Sequence, residues 1–589
     1  MIRVSASRRS EVFVRRPFAA FPSAALLAAF TAVSAFAAGP AQPAASAHAT
    51  RPAATRPAAP RPAPKLVVLL VVDQMRADYV DKFSAHWTGG LRRLIDEGAW
   101  YRDAAYPYTA TVTCVGHSSI STGSLPRTHG IIGDSWLNRE TGKVAVCVAD
   151  PDTKLVSYGR PVDGTSVSGK AMRTSTLADE LRAQSAVPPR VVTLSMKDYA
   201  ATAMAGHGAD AVVWMNASAG TLMTSSAFSP RPVPWVADFL KAHPIEQDFG
   251  KAWTRLLPDA DYLYADDARG ERTPTGSGWT RTFPHPLKGA GTKPDQVFYG
   301  EWEESPFSDA YLGKLAEASI DALKLGQGRG TDYLAVSFSA LDFVGHDFGP
   351  RSHEVQDVLA RLDRTLGSLI ARLDARVGRG RYVLALTGDH GVSPIPEQLS
   401  ALGLAAGRIV APDVVARVNA ALTPWFGPGD KAVRMVYEDL FFAPGVYDKL
   451  RANPEAMRAA LQTVAATPGV ARVFTADQLQ SSPPAAGDTL EREAAASFFP
   501  GRSGEFIVLP RPYFQSVPNA SRTTGTTHGS PYWYDRHVPL FLLGDGIRKG
   551  QYLAPASPLD LAPTLAYLCG ITLPAPDGRL LGAALGTRN

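Results

Sequence analysis

Strand-length apolar runs recur through this chain, and the most apolar of them end in acidic or imidazole side chains. The run KLVVLLVV over 65–72 meets Asp73, Tyr333–Phe338 leads to Asp342, and Tyr382–Leu386 leads to the pair Asp389-His390. Val191–Ser195 ends just before Lys197, Ala211–Trp214 follows it, and Val538–Leu543 comes late in the chain. A strand that is apolar throughout, rather than at alternate positions, is buried on both faces, which requires a largely parallel sheet covered by helices. Helical periodicity fills the intervals at 91–97, 176–184, 309–325 and 354–373, and a last helix over 558–569 stops at Gly570, a normal C-cap. The fold class is therefore α/β. In open α/β sheets ligands gather beyond the carboxyl ends of the strands. Asp73, Asp342, Asp389 and His390 all fall at that edge. One such aspartate alone reads as a turn residue or a helix cap; several together with histidines suggest a metal site.

The first 64 residues set a different constraint. Five arginines within residues 3–16 precede an apolar run from Phe18 to Phe36, and Ala35-Phe36-Ala37 then fits a signal-peptidase site, so residues 1–38 read as an export leader. Pro22 and several Ser and Thr interrupt that run, which makes it a poor transmembrane span, and no other stretch has the length and apolarity of one. Residues 39–64 are Ala/Pro-rich without periodicity and read as a disordered linker. Eight Arg and one Glu lie before residue 65, so removing their +7 from the chain's formal +5 leaves −2 for the rest. A nucleic-acid-binding patch is thus not expected. Three cysteines are too few for a disulfide framework or a thiolate metal site. Cys114 and Cys147 could pair in an oxidising compartment, a point the sequence leaves open. Any metal ligands must be histidines and carboxylates. The catalytic domain spans 65–589, with cap insertions at roughly 225–310 and 400–520, where Pro, Gly and Trp break the α/β rhythm.

The remaining motifs are local. Thr113 and His117 lie in ATVTCVGHSSISTGSLPRTHGIIGD, Asp342 and His346 in SALDFVGHDFG, Asp389 and His390 in LTGDHG, and His528 in GTTHGSP. Their order and context resemble the alkaline phosphatase superfamily, in particular its phosphate-irrepressible periplasmic branch with a threonine nucleophile, over nearly the whole chain from Lys65. The resemblance implies a three-layer α/β/α sandwich and two Zn2+ ions. Asp342, His346 and His528 match the ligands of one ion; Asp73, Asp389 and His390 match those of the other, with Thr113 also bound there. It further implies hydrolysis of small phosphate monoesters through a covalent phosphothreonine at Thr113, in a periplasmic or secreted enzyme, with a monomer expected. Thr113, rather than Thr109 or Thr111, has the T-x-x-G-H context. His117 is not a ligand in that pattern, and His129, His353 and His537 match no metal position either. Sulfatases share the fold but use a C/S-x-P-x-R context, which Cys114-Val115-Gly116 lacks.

Two positions depart from the family, both at the phosphoryl oxygens. Asp134, in Gly130-Ile131-Ile132-Gly133-Asp134-Ser135-Trp136, stands where the monoesterases carry Asn, and Tyr199 stands where they carry Arg, while Lys197 is kept. Asn, Lys and Arg would present a net charge of about +2; ionised Asp134 with Lys197 and Tyr199 presents about zero. Losing a bidentate arginine weakens recognition of a monoester dianion more than of a diester. A phosphodiesterase or nucleotide pyrophosphatase using the same site is therefore the alternative, and a zinc-binding protein with little catalysis is a reading from another class. Two arrangements would soften that loss: Asp134 could be protonated and donate a hydrogen bond, or it could pair with Lys197 and leave Tyr199 as the free donor.

Overall fold

The computed structural model describes residues 62–481 and 487–586. The export leader and nearly all of the linker lie outside the described residues.

Five parallel strands form the centre of an 11-stranded sheet. Leu66–Val72 (β1) pairs with Asp332–Phe338 on one side and Tyr382–Thr387 on the other; Asp332–Phe338 continues to Val191–Ser195 and that strand to Ala211–Asn216. Every residue of β1 is buried, as its uninterrupted apolar run requires. Antiparallel strands flank this centre, among them Leu540–Gly544 beside Tyr382–Thr387. The late run at 538–543 is thus a strand of the sheet, but one that runs against its neighbour.

Alternate residues of β1 feed two cores. Val68, Leu70 and Val72 pack with Leu91 and Leu94 of helix Gly90–Glu97 (α1), with Leu312 and Leu315 of Pro306–Leu323, and with Leu359 and Leu366 of His353–Leu373. Val67, Leu69 and Val71 face Val115 and Ile120 of Thr113–Thr122 (α2), Leu181 of Leu177–Gln184 and Leu565 of Leu561–Cys569. That is an α/β/α sandwich in three layers.

The two segments expected to be insertions differ in how they are held. Trp253, Trp279, Phe298 and Trp302 are buried in the same core as α1, so the stretch around 250–303 is fastened onto one layer by its large aromatics. Between residues 409 and 509 there is instead a separate core, in which helices Ala411–Phe426 and Pro454–Ala465 cover a four-stranded sheet. That sheet contains Ala432–Val436 and Asp439–Phe442, and the turn between them holds Tyr437 at a positive φ of 53°. Among the described residues, no helix is long and apolar enough to cross a membrane.

Candidate active site and metal centre

The carboxyl ends of β1, Asp332–Phe338 and Tyr382–Thr387 lie side by side, so the residues that follow them converge. Asp73 leaves β1 directly, and Gln74 turns the chain with a positive φ of 66°. Its backbone N–H donates to Asp389 Oδ1 at 3.0 Å and its side-chain amide donates to Asp342 Oδ1 at 2.5 Å. Gln74 thus ties together three strand ends, a role with no sequence signature beyond its place after Asp73. Asp342 and His346 sit one turn apart on helix Ala340–Phe348, with His346 Nε2 3.3 Å from Asp342 Oδ1.

The histidines are aimed by their backbones. Nδ1 of His346, His390 and His528 lies 2.9 Å from the carbonyls of Thr526, Gly391 and Thr111 respectively. Each Nδ1 therefore carries the proton, and each Nε2 is left as a lone-pair donor. Burial, foremost, lowers the pKa of all three, for His528 to about 4, so the rings are neutral. His390 Nε2 is 3.5 Å from Asp73 Oδ1 and 3.4 Å from Asp389 Oδ2; His528 Nε2 is 3.6 Å from Asp342 Oδ1. Two sets of ligand-type atoms gather closely enough to share an ion: Asp73, Asp389 and His390, and Asp342, His390 and His528. His390 belongs to both, stacked 3.6 Å from the ring of His528, while His346 flanks Asp342 and lies 5.0 Å, ring to ring, from His528.

The charges argue for cations. Asp73, Asp342 and Asp389 are at most 2% exposed. Lys197 is the nearby cation, its Nζ 2.7 Å from Asp73 and 2.5 Å from Asp342. Three carboxylates against one ammonium leave an uncompensated buried charge, which is costly without further positive charge. Asp73 Oδ1 and Asp389 Oδ2 have no hydrogen-bond partner. Burial pushes Asp389 up to about 7 and raises Asp73 as well, whereas Lys197 and the histidines hold Asp342 low against its own burial. Neutral imidazole Nε2 atoms and orphaned carboxylate oxygens are the donor set that suits zinc.

Thr113 opens α2 after the extended residue Val112. Its Oγ1 lies 3.1 Å from His390 Nε2, and Lys197 Nζ approaches it to 3.4 Å. Thr111 is turned away, donating to the carbonyl of Ser530. His117 is held between the carbonyl of Thr113 and Ser337 Oγ, with Nδ1 3.2 Å from Asp389; it orients the helix start. Helix α2 is pressed against the Asp389 strand end at Gly116, where an added Cβ would fall 2.3 Å from the Asp389 carbonyl. Gly116→Ala is expected to shift α2, costing about 1–3 kcal/mol of stability and lowering kcat at least tenfold. Urea unfolding with steady-state kinetics checks this; an unchanged kcat would mean that the close approach does not set the position of Thr113.

The departures from the family pattern meet around Thr113. Asp134 does not pair with Lys197. Its Oδ1 accepts the N–H of Cys114 at 2.7 Å, and its Oδ2 accepts the hydroxyl of Tyr437 at 3.2 Å. Cys114 and Cys147 form a disulfide, and the Cys147 N–H donates to the Asp134 carbonyl at 2.9 Å. Asp134 is thereby held as an acceptor at the start of α2, beside Thr113. Burial, against the pull of Lys197, keeps Tyr199 protonated far above neutral pH, so its hydroxyl can donate. Tyr437 was not foreseen from the sequence, because it arrives some 300 residues after Asp134 from the cap.

Residues 67–531 match the family model described as type I phosphodiesterase / nucleotide pyrophosphatase. The chain is 32% identical over 516 residues to the alkaline phosphatase PafA of Elizabethkingia meningoseptica, covering 87% of this chain and 92% of that protein. It is 32% identical over 548 residues to the alkaline phosphatase PhoK of a Sphingomonas species, covering 89% and 92%. The crystal structure of wild-type PafA superposes with a TM-score of 0.79 at 29% identity over 89% of this chain and all of that one. The chain belongs to the type I phosphodiesterase / nucleotide pyrophosphatase family, on its alkaline phosphatase branch, and is a phosphoric ester hydrolase.

Proposed function

We propose that this protein hydrolyses phosphate monoesters through a phosphorylated Thr113, with two zinc ions at the strand ends. The observation that carries this is the position of Thr113 Oγ1, 3.1 Å from His390 Nε2 and 3.4 Å from Lys197 Nζ, at the start of a buried helix. Asp342, His346 and His528 would hold one ion; Asp73, Asp389, His390 and Thr113 would hold the other. Bound there, zinc supplies Lewis acidity toward the threonine hydroxyl and the leaving oxygen. Thr113 attacks phosphorus and displaces the alcohol or phenol; water then breaks the Thr113–phosphate bond and releases inorganic phosphate, so the hydrolysis runs in two steps. Lys197 and the Tyr199 hydroxyl donate to the non-bridging oxygens. Asp134 fixes the α2 N-terminus by holding the Cys114 N–H. The export leader read at residues 1–38 would place this activity in the periplasm or outside the cell.

A diesterase reading rests on Asp134. Its carboxylate, bonded to the Cys114 N–H and the Tyr437 hydroxyl, puts negative charge beside the phosphoryl position, which disfavours a dianion more than a monoanion. The deciding measurement is kcat/KM for phenyl phosphate and for bis(phenyl) phosphate. A monoester preference of several orders of magnitude supports phosphatase action; the opposite order makes the protein a diesterase, and hydrolysis of neither by zinc-loaded protein makes it a binding protein. Asp134→Asn combined with Tyr199→Arg is expected to raise monoester kcat/KM by about 10–100-fold, since charge-assisted contacts contribute about 1.5–3 kcal/mol each. The diester rate should move far less. An equal rise for both substrates would sink this account of the two positions.

A further inference from the structure

A cavity of about 1250 Å³ opens beside the cluster and extends under the cap. Its wall includes His346, His528, Phe343, Arg272 and Arg522. In an in-line displacement the leaving oxygen departs opposite the nucleophile. His346 and His528, assigned above to one ion, line this cavity, so a leaving group held at that ion would enter it. Its volume exceeds what a small alcohol or phenol fills.

The arginines on that wall differ in one respect. Arg272 Nε donates to Asp347 at 2.5 Å, and Arg408, which lies nearby, pairs with Glu397 at 2.8 Å. Arg522 has no carboxylate within ion-pair distance among the described residues, and its Nε is buried without a hydrogen-bond partner. Burial, and then the charges of Arg272 and Arg408, lower its pKa, although it remains a cation. Asp134, Glu304, Asp347, Asp430 and Glu438 also line the cavity, none of them within ion-pair distance of Arg522. Asp347 is taken by Arg272, and burial pushes Glu304 up to about 8 and raises Glu438 well above the usual carboxylate range, so both are protonated near neutral pH. Arg522 shares the cavity with His346 and His528, which would hold the ion nearer the leaving oxygen. A part-buried guanidinium with an unsatisfied donor, set in a cavity wall beside other arginines, can receive an oxyanion.

We infer that Arg522, with Arg272 beside it, forms a second oxyanion subsite that selects phosphate monoesters whose leaving group itself carries a carboxylate or a phosphate. This rests on the phosphatase reading above. The subsite would make up in leaving-group binding for the contact to the transferred phosphoryl group that Tyr199 cannot supply in place of arginine.

The test uses the zinc-loaded protein and three probes: phenyl phosphate, 4-carboxyphenyl phosphate and benzene-1,4-diyl bisphosphate. Arg522→Gln is expected to lower kcat/KM for the two anionic probes about tenfold or more, the size of one charge-assisted contact, and for phenyl phosphate by less than twofold. Whichever anionic probe loses more identifies the oxyanion the subsite prefers. Arg522→Lys, which keeps the charge without the fork, should fall between. The wild-type preference for the anionic probes should also shrink as salt rises, a readout that needs no variant. Equal losses for all three probes, or a preference insensitive to both substitution and salt, would overturn the subsite while leaving the phosphatase reading intact. Hydrolysis of none of the probes by the wild type would overturn both.

Discussion

Thr113→Ala is expected to lower kcat/KM for an aryl phosphate by about 10⁴-fold or more, the scale seen when a nucleophile that works with its neighbours as a unit is removed. Thr111→Ala and Thr109→Ala stay within a few-fold of wild type. The contrast follows from where three nearby hydroxyls point. Thr113 Oγ1 faces His390 Nε2. Thr111 spends its hydroxyl on the Ser530 carbonyl, and Thr109 shares its own with Ser497 Oγ at 3.0 Å. Losing either of those bonds costs about 1 kcal/mol of stability and removes nothing from the reacting centre. The Thr111 backbone carbonyl, which orients His528, survives the substitution. Acid-quenching the wild-type enzyme during turnover and digesting it should give a phosphorylated peptide containing Thr113, absent from Thr113→Ala. Retention of a tenth of the activity by Thr113→Ala, or phosphate found on Thr111, would dismiss Thr113 as nucleophile.

How much of this could be read from the chain alone depends on whether the cause was local. Asp73, Asp342, Asp389 and His390 were legible because a buried parallel strand is an unbroken apolar run, and the residue that ends such a run is delivered to the ligand edge of the sheet. The helix boundaries were legible for the same reason: Thr176 and Gly570 cap helices by rules that act over a few residues. The surroundings of Asp134 were not legible. Its partners are the Cys114 backbone, 20 residues earlier, and the Tyr437 hydroxyl, 303 residues later in a separately folded cap, and no periodicity links them. The alternative in which Asp134 pairs with Lys197 weighed only the charges that the motifs displayed. Lys197 lies instead between Asp73 and Asp342, whose two negative charges compete better for it than Asp134 does. Arg522 likewise sits in a loop with no motif; only its burial without a partner marks it.

Removing metal from the full-length protein with a strong zinc chelator is expected to lower activity to about 1% or less, added Zn2+ should restore it, and elemental analysis should find two ions per chain. The charge balance sets the number. Metal binding requires all three carboxylates ionised, and with neutral histidines Asp73, Asp342 and Asp389 against Lys197 then form a buried ligand set of −2. One divalent ion only brings this to zero, which offers nothing to an incoming phosphate dianion. Two bring it to +2, which a dianion then neutralises. The orphaned Asp73 Oδ1 and Asp389 Oδ2, together with three histidines whose Nε2 atoms are free to ligate, provide enough donors for both. Stability should follow occupancy: each site held at about 1,000 times its Kd adds about 4 kcal/mol, and the stripped protein keeps buried carboxylates that lack partners. The chelated protein should therefore unfold several degrees earlier than the zinc-loaded form. It should recover in two separable steps as zinc is titrated back, unless the shared position of His390 couples the two sites into one. His528→Ala tests the assignment without relying on activity: it removes a donor near Asp342 and leaves Asp73, Asp389 and His390 untouched, so one ion should remain bound. Loss of both ions in His528→Ala would point to a single linked centre, and an unchanged count of two would exclude His528 as a ligand.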